Sequence, residues 1–150
     1  MKLGFASDHR GYKLKGQLID YFSNADYEVI DYGTNSEEST DYTDYGFILG
    51  KNVRDKNVDF GVAICGSGIG ISIACNKVKG IRCAKVSTEE EAKVTRNDNN
   101  SNIVAFGEKM PLEEAIKIVK AFTNTPFSKE EKHNRRVNKI IDYEEGKYDI

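Results

Sequence analysis

Short apolar runs rich in β-branched residues alternate along this chain with stretches of helical period. Leu3 to Ala6, Tyr27 to Tyr32, Phe60 to Cys65, Ile81 to Val86 and Ile103 to Phe106 are each of strand length and apolar on both faces, as in a buried parallel sheet. Between them, Leu14, Leu18, Ile19 and Phe22 share one helical face, as do Tyr45, Ile48, Leu49 and Val53. Leu112, Ala115, Ile116, Val119 and Phe122 give the clearest helical stripe, with Pro111 suited to its first turn. A last helix is predicted from about Ser128 to about Gly146, with Ser128 as N-cap and Glu131 in capping-box spacing. No linker, repeat or low-complexity segment interrupts the alternation, so residues 1–150 are expected to form a single domain.

The β-α-β-α order predicts an α/β fold: a three-layer α/β/α sandwich, Rossmann-like, with a parallel sheet of about five strands. Ligands of such sheets bind outside the carboxyl ends of the strands. Ser7 to Gly11 and Gly66 to Gly70 fall at those ends, after the first and third strands. A third polar segment, Arg96 to Asn102, precedes the fifth strand, so it reaches such a site only by folding over it or by crossing from a second subunit.

Composition narrows the class. A chain of 150 residues can bury roughly 68–70% of the surface its unfolded form exposes, enough to fold without a disulfide or metal staple. The net charge of −2 argues against bulk electrostatic binding of nucleic acid or an anionic membrane. No apolar run approaches the ~20 residues of a spanning helix, and MKLGFASDHR lacks the apolar stretch of a secretory signal, so a cytoplasmic location is expected. Cys65, Cys75 and Cys83 cannot all pair and show no C-x-x-C spacing, so they read as free thiols, with no metal site implied.

Chemistry concentrates in a few segments. In Cys65-Gly66-Ser67-Gly68-Ile69-Gly70, alternate glycines let the backbone turn sharply and gather its N–H groups at a helix N-terminus, where an anion or oxyanion can sit. The loop has neither the G-x-G-x-x-G spacing of a dinucleotide fingerprint nor the ending of a P-loop, and on glycine content alone it can equally be a tight turn. Cys65 sits where a strand end faces a helix N-terminus, a place that favours a thiolate base or nucleophile, although a lone cysteine ending an apolar strand can also be inert core. His9 can donate a proton or bind an anion, and Asp8 can accept from a substrate hydroxyl; the pair can also simply cap the following helix. Lys132 and Arg136 project from one helical face beside His133, a face suited to phosphate or merely to solvent. The amides between Arg96 and Asn102 can bind hydroxyls or form an ordinary turn.

Together, SDHRGYKLK (Ser7 to Lys15), EVIDYGT (Glu28 to Thr34), Asp41-Tyr42, ICGSGIGISIACNK (Ile64 to Lys77), Gly80-Ile81-Arg82, NIVAFGEKM (Asn102 to Met110) and KHNRRV (Lys132 to Val137) resemble the type B ribose-5-phosphate isomerase family, which includes allose- and galactose-6-phosphate isomerases. The resemblance covers nearly the whole chain. It implies a cytoplasmic homodimer, or a higher oligomer, with active sites between subunits, a small sugar phosphate as substrate, and neither metal nor organic cofactor. Cys65 matches the base of the family's cysteine branch; Ile71 stands where another branch has glutamate. Ser67 matches a hydroxyl that assists the cysteine, Gly66, Gly68 and Gly70 the anion hole around the enediolate, and Asn99 a further contributor to it. Asp8, His9 and Tyr42 match sugar- or phosphate-contacting residues, His9 also serving in proton transfer.

The chemistry implied is removal of a proton from the carbon beside a carbonyl and its return to the neighbouring carbon, which needs one base and an oxyanion site. Three departures stand out. Asp98 occupies the position of a ring-opening histidine, and a carboxylate is a poor proton donor at neutral pH. Lys109 and Lys132 replace arginines that hold phosphate beside Arg136, keeping charge but losing the bidentate fork. Thr43 replaces a proline. The expected function is interconversion of ribose 5-phosphate and ribulose 5-phosphate. The alternatives are an allose- or galactose-6-phosphate isomerase, or a non-catalytic module that binds a phosphosugar or flavin phosphate.

Overall fold

The computed structural model describes residues 1–150. Strands β1 (Lys2–Ser7), β2 (Glu28–Asp31), β3 (Phe60–Cys65), β4 (Cys83–Lys85) and β5 (Ile103–Gly107) form one all-parallel sheet in the order β2-β1-β3-β5-β4. Helices α1 (Tyr12–Ser23), α2 (Tyr42–Arg54), α3 (Ile69–Asn76), α4 (Glu89–Asn99), α5 (Leu112–Asn124) and α6 (Glu131–Glu144) connect and cover it. Every strand expected from the apolar runs is present, although β4 is trimmed to its centre. Because the chain returns from β2 past β1 to β3, the order of winding reverses between β1 and β3, which is where a crevice opens at the carboxyl ends.

Both faces of the three central strands, β1, β3 and β5, are dry, which is why they read as unbroken apolar runs; the edge strands depart from the expected two-sided burial, β2 exposing Glu28, Ile30 and Asp31 and β4 exposing Lys85. Leu3, Phe5, Val62, Ile64, Val104 and Phe106 pack on one face with Leu14, Leu18 and Phe22 of α1 and Ile118, Val119 and Phe122 of α5. Ala6, Ala63, Ala105 and Cys65 pack on the other with Leu49 and Val53 of α2 and Ile71 and Cys75 of α3. Phe5, Phe22, Phe106 and Phe122 are wholly buried, each contributing about 1.5–3 kcal/mol relative to exposure. On the second face α2 and α3 touch closely. A β-carbon on Gly46 would lie 2.8 Å from Ala74 Cβ, and one on Gly50 2.8 Å from Val78 Cγ2.

Two expectations about helices need correction. Arg96 to Asn99 are the last turn of α4 rather than part of a loop. That helix starts at Thr88, whose Oγ1 accepts from Glu91 N (3.1 Å) while Glu91 Oε1 accepts from Ser87 N (2.7 Å). It ends at Asn100, in the left-handed region at φ 48°, and the Arg96 guanidinium closes the end by donating to Asn100 Oδ1 and Ser101 O. Ser128 is not the N-cap of α6; Glu130 holds that place, and the helix stops at Glu144. The Ser128 hydroxyl is used otherwise, bonded to His133 Nδ1 (2.6 Å) and accepting from Glu130 N (3.3 Å). No helix is long and apolar enough to cross a membrane.

Candidate active site

An open cavity of about 350 Å³ lies at the carboxyl ends of β1 and β3, lined by Asp8, His9, Arg10, Thr40, Asp41, Tyr42, Cys65, Gly66, Ser67 and Gly70. Each wall follows from local structure. After β1, Asp8 Oδ1 accepts from Arg10 N (3.0 Å) and Gly11 N (3.1 Å), so one carboxylate oxygen is committed to the turn that starts α1, while Oδ2 makes no hydrogen bond within the chain. His9 Nδ1 accepts from Thr40 N at 3.2 Å. That bond assigns the neutral ring its proton on Nε2, which is left without a partner in the chain and is free to donate.

After β3, Cys65 ends the strand 4% exposed, and Gly68 N donates to its Sγ at 3.2 Å. Gly68 takes φ 81°, and a β-carbon there would lie 2.6 Å from the carbonyl carbon of Phe106, so both the handedness and the closeness to β5 demand glycine. Ser67 Oγ, exposed on the rim, accepts from Ile69 N (3.1 Å) and so satisfies one of the free donors of α3. Tyr42 lays its ring over Gly70, whose β-carbon would stand 2.7 Å from it. The cavity thus joins a buried sulfur that receives a backbone donor, an exposed hydroxyl, an imidazole whose Nε2 has no partner in the chain, and a helix N-terminus. That set can hold an oxyanion beside a thiolate and move protons between oxygens. No group of three or more His, Cys, Asp or Glu stands together to hold a metal ion.

The remaining expected residues do not line this cavity. Asp98 and Asn99 are in the last turn of α4, and Lys132 and Arg136 lie on the exposed side of α6. These two helix ends meet: Asp98 Oδ1 accepts from Asn97 Nδ2 (2.8 Å) and lies 3.7 Å from His133 Nε2. Asn99 Oδ1 accepts from Thr95 Oγ1, Lys132 Nζ is 3.9 Å from Glu130, and Arg136 has no ion-pair partner. Lys109 is exposed in the turn after β5. Within one chain the expected residues therefore form two groups, one around Cys65 and one at the junction of α4 and α6, with Lys109 apart from both.

The sequence profile of the Ribose/Galactose Isomerase family matches residues 3–140. Ribose-5-phosphate isomerase B of Escherichia coli is 39% identical over 145 residues, covering 96% of this chain and 97% of the relative. The chain belongs to the ribose/galactose isomerase family. It is an aldose-ketose sugar-phosphate isomerase. Among solved structures, that of Clostridium thermocellum ribose-5-phosphate isomerase B superposes with a TM-score of 0.94 at 42% identity, covering 99% of this chain and all of the other. The Mycoplasma genitalium ribose-5-phosphate isomerase B, solved with bound ribulose 5-phosphate, superposes at 0.90 with 35% identity and 96% coverage of each chain.

Set in this isomerase, Ile71 is wholly buried beneath the glycine loop. Arg10, Thr40 and Asp41 line the cavity although sequence reasoning assigned none of them a role there, Asp41 being only a mark of the resemblance. Arg10 lies inside the SDHRG segment next to His9, and only the side chain's reach across the sheet distinguishes it. Thr40 and Asp41 sit in the long β2–α2 connection, and Thr40 enters through its backbone, for which side-chain chemistry gives no signal.

Proposed function

We propose that this isomerase interconverts ribose 5-phosphate and ribulose 5-phosphate through an enediolate, with the Cys65 thiolate as base. In the aldose-to-ketose direction Cys65 takes the proton from C2, the electron pair moves to the carbonyl oxygen, and the enediolate is held by the N–H groups between Gly66 and Gly70. His9 and Ser67 move the proton between O1 and O2, and the Cys65 thiol returns its proton to C1. The observation that carries this reading is the Gly68 N–H aimed at Cys65 Sγ at the floor of an open cavity, because a backbone donor stabilises negative charge on sulfur at the mouth of a helix.

The second group of residues enters from a second copy of the chain, so that a homodimer shares its sites and Arg136, Lys132, Asn99 and Asp98 of one subunit complete the cavity of the other. An apolar stripe supports this: Ile69 and Ile73 on α3 are 56% and 57% exposed beside the glycine loop, and Ile140 and Tyr143 on α6 are 50% and 66% exposed. The same reading keeps the enzyme in the cytoplasm, where three free thiols persist.

The test is to incubate the protein with ribose 5-phosphate, allose 6-phosphate and galactose 6-phosphate and follow ketose formation. The expected result is the highest kcat/KM for ribose 5-phosphate, with solvent deuterium incorporated into the product. A higher value for either six-carbon substrate overturns the substrate assignment. Sharing of sites is tested by mixing Cys65→Ala, which lacks the base, with Arg136→Ala, at a ribose 5-phosphate concentration too low for Arg136→Ala alone to turn over. Mixed dimers carry one site with both residues intact, so activity returns; none returns if each chain forms its own site.

A further inference from the structure

The cavity around Cys65 carries a positive charge that the scheme above leaves unused. Besides His9, its lining holds one basic side chain, Arg10, alongside the acids Asp8 and Asp41. Lys109, Lys132 and Arg136 do not line it, so Arg10 is the cation that this chain itself offers to an anionic substrate over Cys65.

Its geometry is specific. Arg10 follows β1 and Glu108 follows β5, and the loop after β3 runs between them. The guanidinium spans that gap: Nε donates to Glu108 Oε2, and Cζ lies 3.7 Å from the place a β-carbon on Gly66 would occupy. The root of the side chain is fixed as well, since Arg10 N donates to Asp8 Oδ1. Binding Glu108 through Nε alone leaves Nη1 and Nη2 without partners in the chain, on a side chain 57% exposed to the cavity mouth. An arginine serving only to neutralise Glu108 would gain more from the two-bond fork.

We propose that Arg10 is a substrate-phosphate ligand, presenting its Nη edge to two oxygens of the phosphomonoester, with Glu108 as the residue that positions it. This rests on the sugar-phosphate isomerase reading of the same cavity and adds a residue to it. The guanidinium comes from the chain that carries Cys65, and it supplies the planar two-donor edge that a lysine at position 109 cannot. Glu108 turns the plane of the guanidinium by holding Nε, so a neutral acceptor at that position should serve as well.

The experiment measures kinetics on ribose 5-phosphate and calorimetric binding of inorganic phosphate for the intact protein and five variants. Arg10→Ala should raise KM, and weaken phosphate binding, by roughly 10- to 100-fold, as expected for loss of a charge-assisted pair, with kcat within about threefold. Arg10→Lys should recover part of the affinity. Glu108→Ala should raise KM several-fold, while Glu108→Gln, which still accepts from Nε, should stay near the parent value. Arg54→Ala, which removes an arginine paired with Asp55 away from the cavity, should change nothing. Phosphate affinity in Arg10→Ala equal to that of the parent protein overturns the proposal. If the parent protein does not turn over ribose 5-phosphate, the substrate assignment fails, and the phosphate titrations still decide the role of Arg10.

Discussion

Cys65 and Cys75 bracket α3, one before the glycine loop and the other in the last turn of the helix, and both belong to the same buried cluster. Exposure hardly separates them, at 4% and 0%. Their hydrogen-bond partners do. Cys65 receives a backbone N–H from Gly68 and opens onto a cavity. Cys75 faces the thiol of Cys83, and that hydrogen bond, followed by burial and by the negative charge that Cys83 or Cys65 would carry, holds it protonated well above the ordinary thiol value. The same element, in the same core, therefore offers a backbone donor to the sulfur at its start and holds the thiol at its end protonated. What decides is the direction of nearby donors, more than the depth at which the sulfur lies.

The strongest way to break the comparison is to remove each sulfur in turn. Cys65→Ala should lower kcat by about 10²–10⁴ while circular dichroism and thermal melting show the fold retained; near-normal turnover would remove Cys65 from the mechanism. Next in size is loss of the donor. Gly68→Ala forces a β-carbon against Phe106 and penalises the left-handed backbone by roughly 1–2 kcal/mol, so turnover should fall by roughly 10²–10³ with a lower melting temperature. Cys75→Ala should keep turnover within about twofold.

A smaller effect is expected at Asp98, which lies outside the cavity of its own chain. Asp98→Asn should leave kcat/KM within about tenfold, and Asp98→His should raise kcat/KM for ribose 5-phosphate by restoring a proton donor for ring opening. A loss in Asp98→Asn as deep as that of Cys65→Ala would make Asp98 a catalytic acid or base.

The finest test uses pH. Because Cys75 ionises at higher pH folded than unfolded, its contribution to stability is complete below the ordinary thiol value of 9.0 and is lost as pH rises beyond it. The loss is at most about 1.4 kcal/mol per pH unit. The urea midpoint of the parent protein should therefore fall more between pH 8 and pH 10 than that of Cys75→Ala. Equal slopes would mean that Cys75 is not held protonated.

The central strands were legible because burial on both faces leaves no room for polar residues, and runs such as Phe60 to Cys65 carry that constraint without interruption. Helix α4 was not, because it buries only Ala92, Thr95 and Arg96 and reads as charge followed by amides. Its start was nevertheless written in Thr88 and Glu91, three residues apart. The α6 boundary failed because Ser128 has the right spacing for a cap but spends its hydroxyl on His133. At the site, Cys65, the glycines, Asp8 and His9 were legible since each sits at a strand end in its own segment. The span from Arg10 to Glu108 was not, because it joins residues brought together only by the adjacency of β1, β3 and β5.

The close contact of α2 with α3 also bears on how far one wall of the cavity can move. Tyr42 opens α2 and its ring lies on Gly70 in the first turn of α3, so the two residues form one wall of the cavity, and behind them β-carbons on Gly46 and Gly50 would meet Ala74 and Val78 at 2.8 Å. A wall mounted on elements packed that tightly moves as one piece, since the core behind it has little compressibility. That side of the cleft is therefore like the fixed jaw of a gauge.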